Sequence, residues 1–278
     1  MRFILIAAPG DRKTDQQLEA ACAARGLPLV KAVPGATAGL DFGPPGERRL
    51  IYRTGVSLAC VTLEKLLYRA GDAALHDPFF YYGDQQLIFQ LAGLPRPATV
   101  YVPASDPAAL ARQVEGLGGW PVVVKMPGTE GGKGVSLVHD LETLVASLAE
   151  ARSAASLEAY FPHVRCWRVT VLNGRMLAAT ARIAGAGDFR TNGPGSVTID
   201  CDTPPAGLGE IAIRAAKVLK LEFGGADIME AADGRLSIAE FNFPCYFAEQ
   251  QEQVGIDIAG AIVDRLIEME PHPTAGRW

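Results

Sequence analysis

Short apolar runs alternate with amphipathic segments along the first hundred residues. The runs predict strands at Phe3–Ala8, Leu29–Val33, Leu50–Arg53 and Ala98–Val102. The segments with a helical period predict helices at Thr14–Arg25, Leu58–Ala70 and Asp84–Ala92. Because strands that alternate with helices are typical of a parallel sheet, the N-terminal part is predicted to be α/β.

The pattern changes after residue 107, where pairs of strands lie between helices. Helices are predicted at Pro107–Leu117, Leu141–Ala151, Gly207–Leu219 and Asp257–Met269. Strands are predicted at Val122–Lys125, Gly134–Val138, Arg165–Leu172 and Arg175–Arg182. Asn173-Gly174 lies between the last two strands and favours a tight hairpin. Antiparallel pairs with helices beside them indicate an α+β arrangement in the C-terminal half.

The segment Pro95-Arg96-Pro97 is the predicted domain boundary, because two prolines favour an extended linker. We therefore expect an N-terminal α/β domain at 1–95 and a second domain at 96–278. At 278 residues the chain is long enough for about two domains.

Three polar residues interrupt the last two apolar runs of the chain. Asp227 lies in the first run, and Glu240 and Asn242 lie in the second, with an Asp-Gly turn at 233–234 between them. Side chains two apart share a face of a strand, so Glu240 and Asn242 are predicted to point the same way. A hairpin can bring Asp227 beside them, which would create an oxygen-rich site suited to Mg²⁺. The alternative is an ordinary hairpin with polar residues on its solvent face.

A glycine-dense segment follows the predicted strand that ends in Lys125. Its glycines and second lysine are Gly128, Gly131, Gly132, Lys133 and Gly134. The segment is not a Walker A loop, because Lys133 precedes a glycine and the next run is typical of a strand. A glycine-rich hairpin loop between the two strands would offer backbone N–H groups to a phosphate, and glycine permits the phosphate to approach closely. The alternatives are a simple turn for the loop and a surface strand end for Lys125.

The lysine-ended strand, the glycine loop and the late acidic hairpin together resemble the RimK-like ligases of the ATP-grasp superfamily, from about Arg53 onward. The resemblance implies an N-terminal parallel α/β domain followed by two mixed subdomains that clasp ATP, a small lid subdomain at about 107–160 and a catalytic subdomain at about 161–278. It implies that Lys125 contacts the α- and β-phosphates and that Gly131, Gly132, Lys133 and Gly134 cover them.

Further site residues follow from the same resemblance. The family's adenine-binding hinge corresponds to Glu158, Ala159, Tyr160 and Phe161. The segment 187–192 is similar to a family motif whose arginine and asparagine face the reacting phosphate, which assigns Arg190 to catalysis and substrate contact and Asn192 to ATP. The alternative for Arg190 is an ion pair with Asp188. Asp227, Glu240 and Asn242 match the family's magnesium ligands in type and order.

The chain departs from the family pattern at three places. Cys166-Trp167-Arg168 replaces a segment with an aspartate two residues before the arginine, which leaves Arg168 as a nucleotide contact. Asp84-Gln85 replaces an Asp-Lys pair at the start of a helix. The stretch 243–247, with Cys245 as a candidate substrate contact, replaces a Ser-Pro-Gly turn beside the acceptor site.

Arg53 is a further candidate for substrate binding. It ends a predicted strand, and strand C-termini line ligand crevices in open α/β sheets. A surface ion pair is the alternative.

The resemblance implies a ligase that joins a carboxylate to an amine through an acyl phosphate and releases ADP and phosphate. The expected cofactors are ATP and Mg²⁺, with Mn²⁺ as a substitute, and the substrates are a small-molecule or peptide carboxylate and an amine. The alternatives are an ATP-dependent phosphotransferase and a non-catalytic ATP-binding partner. A homo-oligomer is left open.

Composition agrees with this class. The net charge of −5 argues against nonspecific nucleic-acid binding, which needs a basic surface. No apolar run approaches the ~20 residues of a membrane span. The five cysteines are scattered without a C-x-x-C motif, so the expected compartment is the cytoplasm.

Overall fold

The computed structural model describes residues 1–10, 12–36, 40–44, 46–80, 84–126, 134–150, 155–193, 195–199 and 203–270. Its first sheet is parallel, with the strand order β2–β1–β3–β4. The strands are β1 (Arg2–Ile6), β2 (Leu29–Ala32), β3 (Arg49–Arg53) and β4 (Ala73–Ala74). The helices around it are α1 (Lys13–Ala24), α2 (Leu58–Arg69) and, from the far end of the chain, α8 (Ile258–Glu268). The predicted α/β character of the N-terminal part is therefore confirmed.

Both faces of this sheet are buried in hydrophobic cores, and alternate residues of β1 point into one core or the other. Phe3 and Leu5 lie in a core with residues of α1 and α8, such as Leu18 and Ile262. Ile4 and Ile6 lie in a second core with α2. The C-terminal helix therefore shares a hydrophobic core with the N-terminal sheet.

A second sheet of antiparallel strands has the order β5–β8–β6–β7. Its strands are β5 (Thr99–Val100), β6 (Val122–Lys125), β7 (Val135–Val138) and β8 (Ser156–Ala159). The helices α4 (Pro107–Gly116) and α5 (Leu141–Glu150) pack on it through a core that includes Leu110, Val124 and Leu144.

The third sheet is also antiparallel, with the order β11–β10–β9–β12–β13. Its strands are β9 (Arg165–Leu172), β10 (Arg175–Ile183), β11 (Val197–Ile199), β12 (Phe223–Glu230) and β13 (Leu236–Asn242). Helix α6 (Leu208–Val218) covers one face, and α3 (Gln85–Leu91) contacts both α6 and β13. Helix α7 (Ala248–Val254) lies against β10. Asn173 and Gly174 both have positive φ, as the predicted hairpin turn requires.

The differences from the predicted elements are small. The strand predicted at Ala98–Val102 is reduced to β5, and the sequence pattern did not predict β4, β8, β11 or α7. In the part of the chain that is described, no helix has the length and apolar character needed to cross a membrane. The domain and subdomain boundaries at 95, 107–160 and 161–278 stay predictions.

Candidate active site

A row of three charged residues crosses one face of the third sheet. Asp227 on β12 pairs with Arg168 on β9 and with Glu240 on β13, so the three side chains lie next to one another. The opposite face carries Trp167, Ile228 and other core residues packed against α6. Strand alternation therefore separates an apolar, helix-covered face from a polar face.

A β-bulge gives Glu240 its orientation. The register of β13 shifts opposite Asp227 and Ile228, so that Ala239 has no partner of its own. Ile238 lies in the core, although strict alternation would place it on the same face as Glu240. The inserted residue turns Glu240 to the polar face, because a bulge re-aims the side chains that follow it. Glu240 and Asn242 share a face, as the alternation predicted.

The four polar side chains form one network. Arg168 binds Asp227 through two contacts, Nε to Oδ1 at 2.6 Å and Nη2 to Oδ2 at 3.0 Å. Asn242 Nδ2 donates to Glu240 Oε1 at 2.8 Å and to Asp227 Oδ2 at 3.4 Å. The convergence of Asp227, Glu240 and Asn242 that the sequence predicted is thus present in the structure.

The carboxyl groups of Asp227 and Glu240 lie in different electrostatic environments. Burial raises the pKa of Asp227 to about 7, against the opposing effect of Arg168. Hydrogen bonds from Asp227 and Asn242, with the charges of Arg168 and Lys125, lower the pKa of Glu240 despite its burial. Asp227 is therefore partly protonated near neutral pH, while Glu240 is ionised.

This donor set fits a hard divalent cation. Asp227, Glu240 and Asn242 bring carboxylate and amide groups together, and oxygen atoms are the ligands that Mg²⁺ takes. Two carboxylates in contact, of which one resists ionisation, are the arrangement that a cation would stabilise in the charged form. Among the described residues no group of three or more His, Cys, Asp or Glu side chains could hold a metal ion, and this site combines two carboxylates with an amide instead.

Neighbouring residues fix both the side chain and the backbone of Arg168. A Cβ atom at Gly225 would lie 3.1 Å from Arg168 Cδ and 3.2 Å from Cys245 Cβ, so a larger residue there would force the arginine stem or Cys245 to shift. Gln250 on α7 donates to the Arg168 carbonyl at 2.9 Å, and it also bonds to Thr170 and Thr180. The sequence analysis missed Gln250, because α7 lacks a clear periodic signal.

Lys125 and Glu158 form an ion pair on the second sheet. Lys125 Nζ lies 2.7 Å from Glu158 Oε2, and Glu158 is 3% exposed. Since Lys125 ends β6 and Glu158 lies in the adjacent β8, the two residues predicted to contact ATP come together. Ala159 is the last residue of β8, and its N–H donates to the Ala98 carbonyl.

An open cleft of about 680 Å³ lies between β7 and the loop that follows β10. Its walls include Tyr160 and the segment from Gly187 to Thr191, and the Tyr160 and Phe189 rings meet edge to face at 6.2 Å. Arg190 lines this cleft while paired with Asp188, with Nη2 at 2.9 Å from Oδ2. The arginine lowers the pKa of Asp188 to about 2.

The remaining predicted nucleotide contacts are dispersed. Asn192 is exposed after the same loop, and the Phe161 ring contacts the Arg235 guanidinium. The Gly134 carbonyl accepts a bond from Met126 at the base of the glycine segment. Gly131, Gly132 and Lys133 lie outside the described residues. The ATP assignments of all these residues stay predictions.

Arg53 is buried rather than placed at the surface. It is 5% exposed, its Nε lies 2.7 Å from Glu64 Oε2, and its guanidinium faces the Phe243 ring at 5.5 Å. The alternative of a surface ion pair is therefore wrong, because both partners are inside the protein. Arg53 ends β3 next to Phe243, and its assignment to substrate binding stays a prediction.

Cys245 lies in the hydrophobic core with Phe223 and Phe247 and is 4% exposed. Burial raises the pKa of its thiol to about 12, so it is not a nucleophile at neutral pH. Its side chain offers little surface to a substrate.

Comparisons with known proteins identify the family of this chain. A family model for the RimK-like ATP-grasp domain matches residues 90–266. The chain is 29% identical over 174 residues to a probable alpha-L-glutamate ligase of Shewanella halifaxensis, covering 59% of this chain and 36% of the relative. It is 32% identical over 180 residues to the ribosomal protein bS6–L-glutamate ligase of Salmonella paratyphi B, covering 62% of this chain and 57% of the relative. The match thus spans about a third to somewhat over half of these curated relatives.

The fold also has solved counterparts. The structure of the ATP-grasp ligase PsnB complexed with minimal precursor superimposes with a TM-score of 0.71 at 20% identity, covering 96% of this chain and 99% of PsnB. The predicted ATP-grasp fold is therefore confirmed. Since the family model matches well over half of its residues, the chain belongs to the RimK-like ATP-grasp family.

Proposed function

We propose that this protein is an ATP-dependent ligase that joins a carboxylate to an amine and releases ADP and phosphate. The observation that carries the proposal is the network of Arg168, Asp227, Glu240 and Asn242 on the polar face of the third sheet. Membership of a family whose relatives include glutamate ligases supports the same activity.

Asp227, Glu240 and Asn242 would hold Mg²⁺, and Lys125 would bind the phosphates of ATP. The metal, when bound, neutralises phosphate charge and orients the nucleotide. Arg168 keeps Asp227 in place through two hydrogen bonds, so this ligand is oriented before any cation arrives. Glu158 does the same for Lys125, because a fixed ion pair removes the rotamer freedom of a long side chain.

The reaction needs two displacements. A carboxylate oxygen attacks the γ-phosphorus of ATP, the bond to the β–γ bridging oxygen breaks, and ADP leaves. The amine nitrogen then attacks the acyl carbon, phosphate leaves with the former carboxylate oxygen, and the nitrogen loses a proton. Arg190 is suited to the charge that spreads over the transferring phosphoryl oxygens, because a guanidinium donates in a planar fork. Its partner Asp188 holds the fork in the cleft.

We place the substrate carboxylate near the C-terminal end of β3, beside the stretch at 243–247. Arg53 lies on the Phe243 ring and is fixed by Glu64, so it orients this stretch. One named relative is a ribosomal protein bS6–L-glutamate ligase, and PsnB has been solved in complex with a precursor peptide. We therefore favour a peptide or protein as one of the two substrates, with an amino acid as the other.

The test is a screen for ADP release with paired acids and amines, followed by mass spectrometry of the products. The expected result is ADP formation that requires both substrates. The product should have the combined mass of the acid and the amine less one water. Glu240→Gln keeps the shape but removes a ligand charge, and it should abolish turnover while melting near the wild type. ADP formation with a phosphorylated product and no amine requirement would instead identify a phosphotransferase.

A further inference from the structure

The outer edge of β13 is capped by two glutamine side chains and by the Pro95 carbonyl, which accepts from the Ile238 N–H, rather than by another strand. In the described part of the chain β13 is the last strand of the third sheet. The first turn of α3 lies against it, and Asp84 fixes this turn by accepting bonds from the N–H groups of Gln86 and Leu87. Gln85 and Gln86 consequently face the exposed edge of the strand that carries two of the three proposed metal ligands.

Gln85 binds β13 in the way a neighbouring strand would. Its Nε2 donates to the Phe241 carbonyl at 2.8 Å, and its Oε1 accepts from the Phe241 N–H at 2.9 Å. One primary amide thus satisfies both outward backbone groups of a single residue. A side chain that only donates, such as lysine, could bond to the carbonyl but could not accept from the N–H.

The residue held in this way lies between the two ligands. Phe241 is flanked by Glu240 and Asn242, and its own ring is buried on the opposite face. Gln86 Nε2 also donates to the carbonyl of Ala239, the unpaired residue of the bulge, at 2.5 Å. A bulged edge strand has fewer ladder bonds than a regular one, so its conformation depends on such outside partners.

We infer that Gln85 is a positioning residue for the metal site, which acts by fixing the backbone of β13 so that Glu240 and Asn242 converge on Asp227. The inference rests on the proposed function, because it assumes that these three residues bind Mg²⁺. Groups that orient metal ligands typically contribute 10- to 100-fold to metal affinity. The same range is expected here, without a change in the affinity for metal-free nucleotide.

The test measures how binding of a fluorescent ADP analogue depends on Mg²⁺ concentration. Gln85→Met removes both hydrogen bonds at nearly constant volume and should raise the half-saturating Mg²⁺ concentration by roughly 10- to 100-fold. Binding should still reach the wild-type plateau at high Mg²⁺. A variant that was merely destabilised would lose the plateau instead.

Gln113→Met is the matched control. Gln113 also uses its amide on two backbone groups, the Ala104 N–H at 2.8 Å and the Val102 carbonyl at 3.4 Å, but it does so on α4. This variant should keep the wild-type Mg²⁺ dependence. Gln85→Asn shortens the side chain but keeps the amide, and it replaces Gln85→Met if that variant does not fold. It should shift the half-saturating Mg²⁺ concentration in the same direction.

Three outcomes are distinguishable. A shift in the Gln85 variant but not in Gln113→Met supports the inference. Mg²⁺-dependent binding in the wild type with an unshifted Gln85 variant overturns the inference and leaves the proposed function intact. Nucleotide binding by the wild type without any Mg²⁺ dependence overturns both.

Discussion

Gly225→Ala tests whether Arg168 must occupy its present position. The added Cβ would lie 3.1 Å from both Arg168 Cδ and Arg168 Nη1 and 3.2 Å from Cys245 Cβ. Carbon atoms pack best at about 3.5–4.0 Å, so the shortfall is roughly 0.5 Å on two sides. Cys245 is fixed in the core, and the arginine therefore has to move.

The expected cost follows from opposing contributions. Overpacking of this kind costs about 1–3 kcal/mol, while replacing glycine gains about 0.4–1 kcal/mol by restricting the unfolded chain. The net expectation is a loss of about 0–2.6 kcal/mol in the free energy of unfolding, with a midpoint of about 1.3 kcal/mol. Movement of Arg168 would also weaken its 2.6 and 3.0 Å contacts with Asp227, so Mg²⁺-dependent nucleotide binding should weaken as well.

Urea denaturation and binding of a fluorescent ADP analogue measure the two effects. Gly116→Ala is the control, because a Cβ atom there meets nothing within 4 Å in the last turn of α4. It should stabilise the protein by up to about 1 kcal/mol. If Gly225→Ala were as stable as the wild type and bound Mg²⁺ and nucleotide equally well, the packing argument for Arg168 would be refuted.

Three further results are expected. Gln250→Leu should lower the free energy of unfolding by about 1–3 kcal/mol in urea denaturation, because the Arg168 carbonyl and two threonine hydroxyls lose their partner; an unchanged midpoint would contradict this. Arg190→Lys should lower kcat at least about tenfold with little change in nucleotide Kd, since charge remains but the planar fork is lost; weakened binding with normal kcat would move Arg190 out of the chemical step. At pH 8, Cys22 and Cys245 should resist iodoacetamide in the native protein and react in urea, because burial raises the pKa of both thiols to about 12; rapid native alkylation seen by mass spectrometry would disprove their burial.

Local sequence signals predicted most of the architecture. The Asn173-Gly174 turn and the apolar periods around it define strands and helices whose structure is set by nearby residues. Alternation predicted that Glu240 and Asn242 share a face of β13. The prediction holds because both residues lie after the bulge, where alternation still applies.

The parts that were missed depend on tertiary packing. The bulge at Ala239 arises from the pairing of β13 with β12, and the residue type at that position does not predict it. Gln250 has no distinguishing feature in the sequence, and Gln85 is noted there only as a departure from the family pattern. The role of each amide depends on the backbone groups that the fold brings to it. The pairing of Arg168 with Asp227 joins strands that are far apart in sequence.

The most direct test of the central claim follows an oxygen atom. With a substrate pair from the ADP-release screen, the carboxylate is labelled with ¹⁸O and the released phosphate is observed by ³¹P NMR. An acyl-phosphate reaction predicts one ¹⁸O per phosphate, together with ADP and the amide in equal amounts. Unlabelled phosphate, or label found in AMP, would contradict the proposed ligase mechanism.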